Sequence, residues 1–177
     1  MLVFCPMNLR ISTRRLSSHT LFCALLGIAT LAPVAMGCGK GYIVNTSVPD
    51  TGENRKVIGF CETYRTSVEA RDITKLLAMT HPSYFEDGGN ADPKDDIDYR
   101  GFEAFMRDLF SKTSTVRYEI RYRKVSFLEP NRVLVDYTYS ASFKIPTQTE
   151  DEWHRKVDDN RLELMREGDT FKIVSGM

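Results

Sequence analysis

Acid–base chemistry needs a titratable side chain held within hydrogen-bond reach of a partner, and this 177-residue chain offers few candidates. His81 precedes Pro82, where a helix would end, and His154 sits beside Trp153 on an extended stretch. Asp136 stands between Val135 and Tyr137, and alternation with them puts it on the outer side of a strand. No acid is predictably inside, so both histidines read as partly exposed structural residues. Cys61 falls at helical spacing with Val57, Tyr64 and Val68, which makes it a small buried hydrophobe rather than a nucleophile. The acids of segment 86–98, among them Asp92, Asp95, Asp96 and Asp98, lack the D-x-[DN]-x-[DN]-G order of a calcium loop. They read as a solvated loop, and neither a metal nor a cofactor is expected.

A different chemistry is suggested at the amino end. Residues 1–37 carry Arg10, Arg14 and Arg15, no acid, and the apolar run Leu21 to Met36, which Gly27 and Pro33 interrupt. That run is shorter than the ~20 residues of a membrane span and small residues follow it, so it reads as a signal peptide. Val34-Ala35-Met36-Gly37-Cys38 resembles a bacterial lipobox, in which a small residue precedes a cysteine that becomes the acylated new amino terminus. It departs from the pattern at Ala35, where leucine or valine is usual. Cys38 is therefore the expected lipid attachment, with palmitate-type acyl chains holding the protein to a membrane on the extracytoplasmic side of the cell envelope. The alternatives are a plain secretory signal cleaved near Ala35, leaving a secreted or periplasmic protein, or an uncleaved anchor. Arg14-Arg15 also resembles a twin-arginine signal, and translation from Met7 rather than Met1 stays open. Residues 38–52 read as the lipidated cysteine and a flexible tether, with glycine, proline and no periodicity.

Any site would be positioned by strands that alternate in the second half of the chain. Val116, Tyr118, Ile120 and Tyr122 alternate with Arg117, Glu119, Arg121 and Arg123, and then the phase slips to Val125 and Phe127. A period-2 pattern that slips by one needs an extra residue, so a bulge is expected near Arg123–Lys124. Glu129-Pro130-Asn131 is turn chemistry. A second strand runs from Val133 to Phe143, a third from Glu150 to Arg166, and a fourth from Thr170 to Ser175 after the turn at Glu167-Gly168-Asp169. Short turns imply antiparallel neighbours.

Before the strands the period is helical. Glu53 to Arg71 carries Val57, Phe60, Cys61, Tyr64 and Val68 on one face, with Thr51 or Asp50 as start signal. Asp72 caps a short helix from Ile73 to Met79. A third helix from Gly101 to Phe110 sets Phe102, Phe105, Met106 and Leu109 on one side. Lysines and arginines equal acids at 24 each, and removing residues 1–37 leaves the rest mildly acidic. That balance excludes nucleic acid, which wants a basic face. The cluster Arg117, Arg121, Arg123 and Lys124 reads as a solvated strand face.

This order of elements resembles the nuclear transport factor 2-like superfamily, also called SnoaL-like. The residues that carry the resemblance are Val57–Val68, Asp72-x-x-x-Leu76-Leu77, Gly101-Phe102-Glu103-Ala104-Phe105, and the closing hairpin Leu162-x-Leu164-x-Arg166-Glu167-Gly168-Asp169-Thr170-Phe171-Lys172-Ile173-Val174. It covers residues 53–177. The resemblance implies an α+β fold: a curved antiparallel sheet wrapped around three N-terminal helices, cone-shaped and cystatin-like, with a pocket at its open end. It also implies a homodimer through the sheet, and acid–base pairs inside the cone of those members that are isomerases, dehydratases, cyclases or hydrolases.

Within such a cone, Tyr64, Tyr84, Tyr118, Tyr122, Tyr137, Tyr139 and Trp153 bring polar-tipped rings inward, all but Tyr122 as candidate pocket residues. Rings of that kind either fill a core or orient a small apolar ligand. Three functions follow as expectations: a non-enzymatic membrane-anchored module that binds a small apolar ligand or a protein partner, an isomerase or dehydratase with Asp136 or His154 turned inward, or a structural subunit of an envelope assembly.

Overall fold

The computed structural model describes residues 41–88, 93–147 and 150–177. The signal segment 1–37 and Cys38 lie outside the described residues. The elements are α1 (Gly52–Glu69), α2 (Ile73–Met79), β1 (Phe85–Glu86), β2 (Ile97–Asp98), α3 (Tyr99–Lys112), β3 (Thr115–Leu128), β4 (Arg132–Ile145), β5 (Glu152–Glu167) and β6 (Thr170–Ser175). The last four form one curved antiparallel sheet in sequence order. This is the α+β arrangement that the resemblance implies, with the four strands read from the alternation.

Each helix begins where a side chain can satisfy its free N–H groups. Thr51 accepts from the Asn54 N–H, Asp72 from Lys75 and Asp98 from Gly101. Asp98 is thus a helix cap rather than a solvated loop acid. The loop it closes is also zipped at its ends, because Phe85 and Glu86 pair with Asp98 and Ile97.

In the sheet, Tyr122 pairs with Tyr137 and Lys124 with Asp136, so Arg123 is the inserted residue of the expected bulge. The β4–β5 register runs unbroken from Arg132↔Met165 to Ile145↔Glu152. At the tight turn between β5 and β6, Gly168 has φ +61°, a left-handed conformation that favours glycine. The inner face of the sheet carries Val133, Val135 and Tyr137 beside Leu164 and Leu162, all buried. Helix α1 lies over it with Val57, Cys61 and Tyr64 buried, and Phe60 meets Phe171 at 5.7 Å between ring centroids.

The stretch expected as a tether behaves differently from residue 41 onward. Tyr42 bridges to Pro49, the Ile43 N–H donates to the Val48 carbonyl at 2.9 Å, and the Ser47 N–H donates to the Tyr122 carbonyl at 3.0 Å. Asn45 turns the chain at φ 61°, and the Thr46 hydroxyl donates to the Ile43 carbonyl. Val48 is fully buried in the core. One apolar side chain and a satisfied backbone make this segment a strap of the domain, not a linker.

Candidate functional site

The apolar face of α3 does not lie flat on the sheet. Phe102, Met106 and Phe110 are buried, while Phe105 on the same side is 52% exposed. Between this helix and the Thr115-to-Ile145 part of the sheet lies a chamber of about 290 Å³. Its helix wall includes Phe102, Phe105 and Met106, and its sheet wall Val116, Ala141 and Phe143. Tyr64, Tyr118, Tyr139 and Lys156 also line it, and they supply its polar chemistry.

The tyrosines are coupled. Tyr64 and Tyr118 meet edge to face at 6.0 Å, Tyr118 and Tyr139 at 5.7 Å, and Tyr137 and Tyr139 at 6.3 Å. Tyr64 and Tyr137 each influence the Tyr118 phenol, and it theirs. Tyr137 also donates to the Gly176 carbonyl at 3.2 Å, which Asn160 Nδ2 reaches at 3.1 Å. Burial holds the phenols of Tyr64, Tyr118 and Tyr137 above their ordinary value of 10.0, so they stay neutral donors near neutral pH. Lys156 is set above Tyr139, its Nζ 5.8 Å from the ring centroid. Hydrogen bonding to the Tyr139 hydroxyl, aided by its field and by Asp158, raises the Lys156 pKa and keeps the ammonium charged.

Of the six candidate pocket residues, the structure brings Tyr64, Tyr118 and Tyr139 to the chamber. Tyr137 sits behind Tyr139 in the core, and Tyr84 is buried against Phe102 at 5.2 Å, with burial pushing its phenol up to about 12. Trp153 lies elsewhere. It pairs with Lys144 on the outer face of the sheet, 48% exposed beneath the Arg117 guanidinium at 4.8 Å. The cause is parity: register with β4 turns Leu162 and Leu164 inward, so every odd-numbered residue of β5 from Trp153 to Glu163 faces out.

The same parity turns His154 and Lys156 inward. The His154 ring stacks on Phe143 at 5.6 Å, and its Nε2 lies 3.6 Å from Glu152. Asp136 faces outward and takes a hydrogen bond from Arg161 at 2.6 Å. Lys156 was legible only by counting back in twos from Leu162.

No family model matches the chain, and no curated protein matches it in sequence. Solved structures do. Kfla4162 from Kribbella flavida is 16% identical with a TM-score of 0.58, covering 70% of this chain and 86% of its own. A candidate scytalone dehydratase from Novosphingobium aromaticivorans is 9% identical with a TM-score of 0.59, over 70% and 80% of the two chains. A protein of the nuclear transport factor 2-like family from Streptomyces avermitilis is 13% identical with a TM-score of 0.55, over 70% and 93%. Helices over the inner face of a curved antiparallel sheet define an α+β cone. The fold is that of the nuclear transport factor 2-like, SnoaL-like domains.

Proposed function

We propose that this protein is a binding module for a small apolar molecule, held on the extracytoplasmic face of a bacterial membrane by a lipid on Cys38, and that it does not transform its ligand. The chamber between α3 and the sheet carries this reading. It is concave, walled largely by carbon, and supplied with a few convergent hydroxyls, which is the form of a small-molecule site. Isomerases and dehydratases most often carry a histidine or carboxylate as general base at the reacting atoms. Among the described residues that line the chamber there is no Asp, Glu or His. The lipobox-like run before Cys38 supports the address.

Native mass spectrometry of the protein, extracted in mild detergent from its own membrane, tests the proposal. The expected spectrum shows a small added mass that organic solvent releases. A bare species at one or two chain masses overturns the reading and favours an interaction module that pairs through its sheet.

A further inference from the structure

Resting on the chamber reading above, we infer that the ligand is a compact aromatic acid, its ring body enclosed between α3 and the sheet and its carboxylate bound by Lys156. The size of the body comes from the cavity. A cavity of about 150 Å³ accepts benzene, so about 290 Å³ suits a body of two fused rings. Its shape comes from the walls. Phe102, Phe105, Phe110 and Phe143 join Tyr118 and Tyr139 around the space, and such rings gain from offset or edge contacts with another flat ring at 4.5–7 Å.

Charge decides the head group. Lys156 is the only charged side chain among the described residues that line the chamber. Its partner Asp158 lies 3.5 Å away, and both side chains are more than half exposed. A loose pair of that kind contributes little, so the ammonium is available to an incoming anion. Tyr139 marks its place, since the Nζ stands over that ring, 5.8 Å from the centroid. His154 faces the same side two residues away, its Nε2 3.6 Å from Glu152; its ring stacks on Phe143, and it is not among the residues that line the chamber. An aromatic amine would meet the ammonium as a like charge, and a neutral hydrocarbon would leave the Lys156 ammonium and the Tyr118 and Tyr139 hydroxyls without a ligand partner.

Calorimetric titration of the purified protein with 2-naphthoate, 2-naphthalenemethanol and octanoate tests this. The expected result is saturable binding of 2-naphthoate, about three- to fivefold tighter than the neutral alcohol, as a partly exposed charge pair provides. Lys156→Met keeps the aliphatic stem and should erase that preference, while Lys156→Arg restores it. Equal affinity for acid and alcohol, or a preference that survives Lys156→Met, overturns the carboxylate assignment and leaves the chamber reading intact. Octanoate binding tighter than 2-naphthoate overturns the aromatic assignment. Ala141→Phe fills the chamber and should abolish binding of every probe. If no probe binds the native protein, or Ala141→Phe changes nothing, both the inference and the chamber reading fall.

Discussion

Glu69 on α1 accepts a hydrogen bond from the backbone N–H of Tyr118 on β3 at 3.0 Å. Arg65, one turn earlier, binds Glu69 at 2.7 Å and donates to the Tyr118 carbonyl at 3.3 Å. β3 is an edge strand, and unpaired edge groups invite another chain to pair there. The helix answers both backbone groups of one edge residue and so fixes the Tyr118 ring in the chamber wall. Glu69→Ala should destabilise the domain by about 1–2 kcal/mol, as loss of a charged acceptor from a partly buried amide does. Urea unfolding measures it, and an unchanged midpoint would show the clamp to be incidental.

Leu162 and Leu164 set the phase of β5 and are fully buried. Leu162→Ala should cost about 3 kcal/mol by the cavity it leaves. Trp153→Ala, on the outer face, should cost less than about 1 kcal/mol, the scale of an exposed cation–π contact. It should leave affinity for chamber ligands unchanged. A drop in affinity after Trp153→Ala would place the ligand on the wrong face.

Gly176 has φ +90°, and a Cβ there would lie 1.8 Å from the Arg161 carbonyl oxygen. That oxygen belongs to backbone, so the side chain cannot be accommodated by a rotamer change. Gly176→Ala should move Gly176 off Tyr137 and Asn160 and shift Met177 in the chamber wall. The expected readings are a loss of about 2 kcal/mol or more and weaker ligand binding in the same variant.

Burial raises the phenol pKa of Tyr64, Tyr84, Tyr118, Tyr122 and Tyr137, with Tyr84 near 12. In the unfolded chain these groups ionise near 10, so above that pH the unfolded state binds fewer protons than the folded one. The stability they contribute is complete below pH 10 and is lost as pH rises through the folded values. Alkaline titration followed by tyrosinate absorbance and circular dichroism together should show these rings ionising with unfolding. Ionisation of all five in a folded protein would contradict their burial.

Metabolic labelling with a palmitate analogue should mark the native protein and leave a Cys38→Ser variant unlabelled and released from the membrane. Label retained on Cys38→Ser would remove the anchor from the proposal.

The sheet was readable because its strands are long and alternate, and because the phase slip at Arg123 has one simple cause. The cap Asp72, and Thr51 as one of two candidates beside Asp50, were readable for a local reason, since the capping side chain lies within three residues of the amide it serves. The site was harder. Trp153 and Val157 stand out as apolar on a polar stretch, yet cross-strand register with β4 sets their phase, and both face solvent. Lys156 sits among charges and looks like surface until its partner Ala141 is known. The strap escaped notice because its bond to the body, from Ser47 to Tyr122, joins residues far apart in sequence.

That strap sets how closely the protein would ride on a bilayer. From Cys38 to Gly41 are three peptide steps, about 10 Å at full stretch. With acyl chains on Cys38 as proposed, the strap would start within about 10 Å of the attachment point. Tyr42 and Val44, 64% and 83% exposed at the start of the strap, would then rest at the membrane surface, where aromatic rings are favoured. Such a mounting would suit a receptacle that trades ligand with the lipid phase beneath it.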